Sequence, residues 1–331
     1  MGKKRAGGGL KRLVHVYDNI ISLKNLLEAW KEFLRGKRDK KDVQEFQLRL
    51  MDNILDLHTD LKNKMYVHGP YHAFNISDPK PRNIHKATVR DRLLHHAIYR
   101  ALYPYFDKKF ISDSYSCRLG KGTHKAINQF RKYFWEVSKN NTKQCWVLKC
   151  DIKKFFATID HQVLEDILVK NIDDEDTNWL FNQIILSFHT VPGKGLPLGN
   201  LTSQLLVNIY MNEFDQYVKH KLKAKYYIRY ADDFVILSHD KAALENNLRY
   251  IVSYLKDKLK LSLHPDKVYI KTFSSGIDFL GWVNFSNHRV LRTTTRRRMF
   301  KKLSERSKDS YLGMLRHGNG YKIKEKLLNI I

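Results

Sequence analysis

The sequence predicts an α+β fold in which strand, helix, hairpin, helix and strand follow one another as a split βαβ unit. Two patterns indicate this class: apolar residues at helical spacing in the N-terminal part, and short runs of β-forming residues in the middle. Hydrophobic residues make up 43% of the 331 positions, enough for a sizeable core, which argues against a disordered chain.

The strong positive charge of the chain indicates a polyanionic partner. Lys and Arg together number 60 against 34 Asp and Glu, giving a formal net charge of +26. Such an excess repels itself in the folded state, and nucleic acid relieves it because phosphate contacts release counterions. A generally basic soluble protein, or one bound to an anionic membrane surface, remains the alternative.

The remaining composition favours a soluble protein of the cytoplasm. No apolar run approaches the roughly 18 residues of a membrane span, and the start lacks the apolar segment of a secretory signal. The three cysteines, which show no zinc-ligand spacing, are Cys117, Cys145 and Cys150.

The N-terminal part is predicted to be mainly helical. Residues 1–20 form a basic, flexible segment, and two helices separated by Gly36 follow within 22–64. Prolines make residues 66–82 extended or turning. The next helix is expected from Thr88 to Tyr103 and to stop at the proline that follows.

The middle of the chain alternates between strands and helices. An apolar strand at 146–150 leads into Asp151, and a β-hairpin is expected at 226–237. Asp240 is a plausible cap for the amphipathic helix after it. The other predicted elements are helices at 161–190 and 202–218, a loop at 193–199 and a basic helical segment after Leu291.

The tip of the predicted hairpin carries two adjacent carboxylates, Asp232 and Asp233. An Asp pair in a loop is usually only solvated surface, but here β-forming residues on both sides bury the hairpin and fix the pair. Asp151 follows another strand and supplies a third carboxylate. Hard oxygen ligands of this kind suit two Mg²⁺ ions about 3.5–4 Å apart, an arrangement used in phosphoryl transfer. Asp160 is expected to cap the next helix rather than bind metal.

Four segments in order resemble the palm motifs of reverse transcriptases: 151–160, 193–210, 226–237 and 276–283. The resemblance spans residues 79–282. It implies a right-hand polymerase fold with N-terminal helices and fingers at 21–145, a palm with fingers segments at 146–284 and a small helical thumb at 285–331.

The resemblance also assigns the chemistry. Asp151, Asp232 and Asp233 would bind two Mg²⁺ ions, for which Mn²⁺ can substitute, with help from the Ile152 carbonyl. Lys267 matches a lysine proposed as general acid toward pyrophosphate.

The resemblance further implies that the protein binds dNTPs, the template RNA and the RNA/DNA hybrid, and it suggests which residues contact them. Phe156 resembles the aromatic gate that excludes a ribose 2′-hydroxyl. The other nucleotide-binding candidates are Lys80, Arg82, Leu198 and Gln204, and those of the primer grip are Phe279, Leu280, Gly281 and Trp282. For the basic pair Lys80 and Arg82, solvated surface charge is the commoner explanation. The resemblance places the arginines at 296–298 against duplex backbone, and an exposed helical face explains them equally well.

The loop Leu196-Pro-Leu-Gly-Asn-Leu-Thr-Ser-Gln204 resembles that of diversity-generating retroelements. Many relatives have Gln where Leu198 stands and Pro where Gln204 stands. The resemblance implies errors opposite template adenines and a small, basic, oligomeric accessory variability protein as partner. Losing a polar contact at Leu198 removes discrimination of about 1 kcal/mol or more. A harmless substitution in a loop is the alternative explanation.

Several alternatives differ in testable ways. A retron or phage-defence reverse transcriptase is the nearest competitor. A non-catalytic RNA-binding protein with a retained palm would be marked by a broken triad, whereas all three aspartates are present. A metal-dependent nuclease needs neither the aromatic residue after Asp151 nor the paired aspartates on a hairpin. An RNA-directed RNA polymerase is disfavoured by the predicted gate at Phe156.

Overall fold

The computed structural model describes residues 12–77 and 81–329, so residues 1–11 of the predicted flexible N-terminus and Lys80 lie outside the described residues. Residues 13–14 and 17–20 lie in a strand and a helix, and Tyr17 and Ile20 are buried, so the flexible segment does not extend to residue 20 as predicted. The helices of the described ranges are α1 (Tyr17–Ile21), α2 (Leu23–Phe33), α3 (Lys41–Leu48), α4 (Leu50–Lys62), α5 (Val89–Lys109), α6 (Thr123–Val137), α7 (Phe155–Thr158), α8 (His161–Asn171), α9 (Glu175–Leu186), α10 (Leu201–Gln216), α11 (Lys241–Leu259), α12 (Thr293–Lys301), α13 (Glu305–Leu315) and α14 (Tyr321–Leu328).

The strands of the same ranges are β1 (Leu13–Val14), β2 (His72–Ile76), β3 (Arg82–Lys86), β4 (Trp146–Asp151), β5 (Ile172–Asp173), β6 (Tyr227–Tyr230), β7 (Asp233–Ser238), β8 (Tyr269–Thr272), β9 (Ile277–Phe279), β10 (Trp282–Asn284) and β11 (Arg289–Leu291). Helix and strand are thus mixed along the chain, which agrees with the predicted α+β class.

The chain divides into two compact units. Unit 1 contains the described residues up to Ile111 together with 154–214 and 257–261. Unit 2 contains residues 112–153, 215–256 and the described residues from Ser262 onward.

The N-terminal helices of unit 1 differ from the prediction at two places. The helix expected after Gly36 is broken at Arg49, whose φ of −121° and ψ of 44° leave the helical region between α3 and α4. The helix expected to stop at Pro104 instead continues to Lys109. Leu102 and Phe106, on either side of the proline, are both buried. Their packing outweighs the hydrogen bond that proline cannot donate, so this prediction was wrong.

The helical stretch predicted at 161–190 is two helices joined by a short strand. Asp160 caps α8 as predicted, because its side chain accepts the amide of Val163 at 3.2 Å. Asp174 caps α9 in the same way, accepting from Thr177 at 3.1 Å. Between the helices β5 pairs in parallel with β1. The Asp174 cap of α9 and the pairing of β5 with β1 come directly after α8, and together they end that helix.

Unit 2 is built on a four-stranded antiparallel sheet in the order β6-β7-β4-β8. This order and the connections through α7–α10 and through α11 are those of the predicted split βαβ unit. β4 occupies an inner position, and Val147, Leu148 and Cys150 are all fully buried. Because β4 is covered on both faces, its sequence is a nearly continuous apolar run.

Aromatic packing fastens α6 to this unit. Phe130 and Phe134 are buried and lie with ring centroids 5.1 Å and 4.1 Å from the ring of Phe273. Phe130 also lies 5.2 Å from Phe279 of β9. The same core cluster includes β4, β6 and β7 residues, so it supports the strands that carry the aspartates.

The C-terminal part of unit 2 contains a second antiparallel sheet, β9-β10-β11, followed by α12–α14. The helical prediction after Leu291 is therefore confirmed. Among the described helices, none is both long enough and apolar enough to span a bilayer.

Candidate active site

The sheet of unit 2 places Asp151 directly opposite Asp233. Asp151 is the last residue of β4 and Asp233 the first of β7, and the two form the final pair of the antiparallel ladder. Residues directly opposite each other point to the same face with their Cβ atoms about 4.5–5.5 Å apart. Two residues 82 positions apart in the sequence therefore become side-by-side neighbours.

The hairpin turn brings the third aspartate to the same end of the sheet. Tyr230 pairs with Asp233, so Ala231 and Asp232 form the two-residue connection. Ala231 has a left-handed φ of 56°. The amide of Ile152 donates to the carbonyl of Asp232 at 3.0 Å, which ties the chain after β4 to the turn.

Two lysines of unit 2 compensate the charge of these carboxylates. Lys149 Nζ lies 2.8 Å from Asp233 Oδ1, and Lys267 Nζ donates to Asp151 Oδ1 at 2.8 Å. Burial raises the pKa of Asp233 to about 6, and the carboxylates of Asp232 and Asp151 add to this rise while Lys149 opposes it. The part-buried carboxylate of Asp233 is therefore repelled by its two acidic neighbours and attracted by Lys149.

The three carboxylates are suitable ligands for a hard divalent cation, although Asp151 and Asp233 are paired with lysines in this structure. Within residues 12–77 and 81–329, no three His, Cys, Asp or Glu side chains are grouped as a ready metal site. Carboxylate oxygens are nevertheless the ligands that Mg²⁺ prefers. The repulsion felt by Asp233 is the kind of strain that a bound cation removes.

Lys267 reaches the site through a short turn of unit 2. The amide of His264 donates to the backbone carbonyl of Asp151 at 2.8 Å, which fixes the turn Pro265–Lys267 beside the end of β4. The Lys267 side chain remains 38% exposed. Lys267 therefore lies beside Asp151 and is partly open to solvent, and its role as a general acid stays a prediction.

The predicted primer-grip residues form a tight turn. Phe279 pairs with Trp282, and the two connecting residues both have positive φ, 52° for Leu280 and 86° for Gly281. This is the backbone of a two-residue hairpin of the type favoured by the strand twist. The role of this turn with a primer stays a prediction.

In unit 1, the Gly/Pro loop connects the predicted gate to β3. The amide of Leu196 donates to the carbonyl of Phe156 at 2.8 Å, and the amide of His85 donates to the carbonyl of Leu198 at 2.9 Å. Phe155 is buried, while Phe156 is only partly so. Phe156 is thus not fully buried, and its role as a gate stays a prediction.

The other nucleotide-binding candidates of unit 1 lie on elements joined to this loop. Arg82 is exposed at the start of β3, where it pairs with Ile76 of β2. Gln204 lies in the first turn of α10 and is partly buried. Lys80 lies outside the described residues. The roles of these side chains remain predictions.

Two functional candidates were not predicted from the sequence. Lys149 sits two residues before Asp151, so strand alternation turns it to the same face, and a lysine inside an apolar strand was the available signal. Arg229, inside the apolar strand before the aspartates, forms a fully buried ion pair with Asp215. Its partner lies on another element and could not be identified from local pattern.

Comparison with known proteins identifies the family. Residues 76–283 match the family described as reverse transcriptase (RNA-dependent DNA polymerase). Protein YkfC of Escherichia coli (strain K12) is 28% identical over 290 residues, which are 76% of this chain and 74% of that protein.

Intron-encoded proteins are also similar. The group II intron-encoded protein LtrA of Lactococcus lactis subsp. cremoris is 23% identical over 294 residues, covering 67% of this chain and 48% of LtrA. The putative COX1/OXI3 intron 2 protein of Saccharomyces cerevisiae is 22% identical over 278 residues, covering 65% of this chain and 30% of that protein. The chain thus spans about half or less of these two relatives. Because the family match covers well over half of the chain, the protein belongs to the reverse transcriptase family and is an RNA-directed DNA polymerase.

Proposed function

We propose that the protein makes cDNA on an RNA template by two-metal phosphoryl transfer at Asp151, Asp232 and Asp233, within a diversity-generating retroelement. The observation that carries the catalytic part is the pairing of Asp151 with Asp233 at the end of the β4–β7 ladder. Asp232 follows in the connecting turn. Three carboxylates at one end of one sheet are the donors that such a reaction needs.

The aspartates hold the metal ions in this proposal. Two Mg²⁺ ions, or Mn²⁺ in their place, would activate the primer 3′-hydroxyl and neutralise the leaving pyrophosphate. Lys267, beside Asp151, donates a proton to the leaving group. Lys149 holds the Asp233 carboxylate in place by its charge.

The residues of unit 1 select the nucleotide in this proposal. Phe156, which is only partly buried, excludes a ribose 2′-hydroxyl and so selects dNTPs. Lys80 and Arg82 bind the triphosphate. Leu198 and Gln204 lie against the incoming nucleotide, where an aliphatic side chain offers shape but no hydrogen bond.

Primer extension tests the catalytic part. The purified protein is given a primed RNA template, dNTPs and Mg²⁺, and its activity is compared with that of the isosteric variants Asp151→Asn, Asp232→Asn and Asp233→Asn. We expect each variant to lose on the order of a thousandfold in rate, because each removes a negatively charged ligand. Asp240→Asn, the same change at the exposed cap of α11, is the matched control. Full extension by the site variants contradicts the assignment.

The subtype rests on Leu198 and on Ser203-Gln204, and sequencing of the cDNA tests it. We expect errors concentrated opposite template adenines. Leu198→Gln should reduce them about fivefold, since a regained hydrogen bond contributes about 1 kcal/mol of discrimination. Leu48→Gln, the same change at a side chain that is 87% exposed, is the control. An even error spectrum contradicts the subtype.

The accessory partner is part of the same proposal. A diversity-generating retroelement pairs the enzyme with a small, basic, oligomeric variability protein, so we expect the product of such a neighbouring gene to co-purify with this chain. Imperfect repeats near the gene that differ mainly at adenines would support the subtype. A structured RNA of the retron kind would instead support the retron alternative.

A further inference from the structure

Arg229, three residues before Asp232, is fully buried in unit 2 and forms a bidentate ion pair. Its Nε donates to Asp215 Oδ1 at 2.8 Å, and its Nη2 donates to Asp215 Oδ2 at 2.7 Å. Both side chains have an exposure of 0%. A buried ion pair gives little stability over apolar residues of similar volume, because desolvation opposes the attraction. Its presence next to the aspartates calls for another explanation.

The same guanidinium holds the hairpin turn. Its Nη1 donates to the carbonyl of Ala231 at 3.1 Å, and its Nη2 also donates to Ser114 Oγ at 3.0 Å. Ala231 adopts a left-handed φ of 56°, which costs an L-residue with a side chain free energy. The bond to its carbonyl offsets this cost directly before Asp232.

Other groups hold both the Asp215 carboxylate and the backbone of Arg229 in place. Tyr227 donates its hydroxyl to Asp215 Oδ1 at 2.7 Å, so the carboxylate that grips Arg229 is held from a second side. The amide of Arg229 donates to the carbonyl of Asp113, and the amide of Tyr115 donates to the carbonyl of Arg229, both at 3.0 Å. The side chain and the backbone of Arg229 are therefore both anchored.

The two peptide carbonyls around Asp232 are both bonded. Arg229 donates to the carbonyl of Ala231 before it, and the amide of Ile152 donates to the carbonyl of Asp232 itself at 3.0 Å. Rotation of either peptide plane would break one of these bonds. The direction in which the Asp232 side chain leaves the turn is thus restrained from both sides.

We propose that Arg229, held by Asp215, is a positioning residue that fixes the Ala231–Asp232 turn and so the placement of the Asp232 and Asp233 carboxylates. This inference rests on the proposed function, in which those carboxylates bind metal ions. Arg229 acts through the backbone, because it donates to the carbonyl of Ala231. A displacement of about 1 Å in such a site can reduce the rate about a hundredfold.

The test uses the full chain and two variants. Arg229→Met combined with Asp215→Asn removes both buried charges together and leaves an acceptor for the Tyr227 hydroxyl. Arg229→Lys keeps the charge opposite Asp215, but a single ammonium cannot reproduce the planar fork that reaches both Asp215 and Ala231. Arg90→Met is the matched control, because it removes a part-buried arginine–aspartate pair of unit 1, Arg90 with Asp60, that is not among the contacts of the turn.

Three quantities are measured: Mn²⁺ binding by electron paramagnetic resonance without nucleic acid, kcat and KM for dNTP in primer extension, and thermal unfolding. We expect both Arg229 variants to bind Mn²⁺ about tenfold more weakly and to lose about a hundredfold in kcat with little change in KM. The Arg90→Met protein should match the unaltered protein in Mn²⁺ affinity and kcat. A purely structural role would lower only the unfolding temperature.

Opposite results overturn the inference. Unaltered Mn²⁺ affinity and kcat in the double variant refute positioning by Arg229 while leaving the proposed function intact. If the double variant does not fold, unaltered Mn²⁺ affinity in Arg229→Lys refutes it equally. Failure of the proposed function looks different, because the unaltered protein would then not extend a primer.

Discussion

Replacing Lys149 by Met should destabilise the metal-free protein. The Lys149 ammonium lies 2.8 Å from Asp233 Oδ1, and the two side chains are only 8% and 19% exposed. Met fills a similar volume without the charge, so the variant leaves the Asp233 carboxylate buried without this partner. Removing one member of a buried ion pair costs about 3 kcal/mol of unfolding free energy.

The loss should depend on pH. The pKa of Asp233 is already raised from 3.8 to about 6 by burial, against the opposing effect of Lys149. Without the ammonium this pKa rises further. A carboxyl whose pKa is higher in the folded than in the unfolded state destabilises the fold where it is ionised, which is above the folded pKa. The deficit is therefore expected to be largest at about pH 8 and above, to shrink as the pH falls from about 8 to 6, and to be nearly absent below pH 6, where this carboxyl is protonated with or without Lys149.

Urea unfolding in EDTA, followed by circular dichroism at several pH values, measures this deficit. Lys267→Met is the matched control, because that lysine pairs with Asp151 at 2.8 Å but is 38% exposed, so its loss should cost about 1 kcal/mol or less. Added Mg²⁺ should restore most of the lost stability of Lys149→Met by supplying positive charge to Asp233. Equal stability of Lys149→Met and the unaltered protein near pH 8, or a deficit that neither acid nor Mg²⁺ reduces, would refute the reasoning.

Three further predictions concern unit 1. Phe156→Ala should increase ribonucleotide use relative to dNTP use by about tenfold or more, measured with competing substrates, and an unchanged ratio would remove the gate assignment. Gly199→Ala should lower the unfolding free energy by about 1–3 kcal/mol, because φ is +106° and a Cβ would lie 2.7 Å from Ile84 Cγ2. Gly36→Ala has open space around it and should cost less, so equal losses would contradict the clash. Asp160→Ala should cost about 1 kcal/mol in the same assay through loss of the α8 cap, whereas Asp160→Asn should not, and no difference between these two would count against capping.

Local pattern was sufficient to predict the elements that carry the aspartates. Strand alternation and turn residues placed Asp232 and Asp233 on a hairpin tip and Asp151 at a strand end, and the sheet of unit 2 has both features. The cap at Asp160 was predictable for the same reason, since a capping side chain bonds within its own first turn.

Helix ends were predicted less well, because tertiary packing decides them. A proline was expected to end α5, yet buried residues on both sides of Pro104 keep the helix going. The break between α8 and α9 follows from pairing of β5 with β1, more than 150 residues earlier in the chain. Neither effect is encoded in the neighbouring residues alone.

By itself, the sequence determined the mixed fold class, the basic character and the three acidic positions with their resemblance to reverse transcriptases. These depend on periodicity, composition and motif order, which are properties of the chain read along its length. Only the tertiary structure decided that Lys149 and Lys267 neutralise Asp233 and Asp151, and that Arg229 joins Asp215 to the Ala231 carbonyl. Charge compensation depends on burial and on which distant side chains meet, and strand register and packing set both.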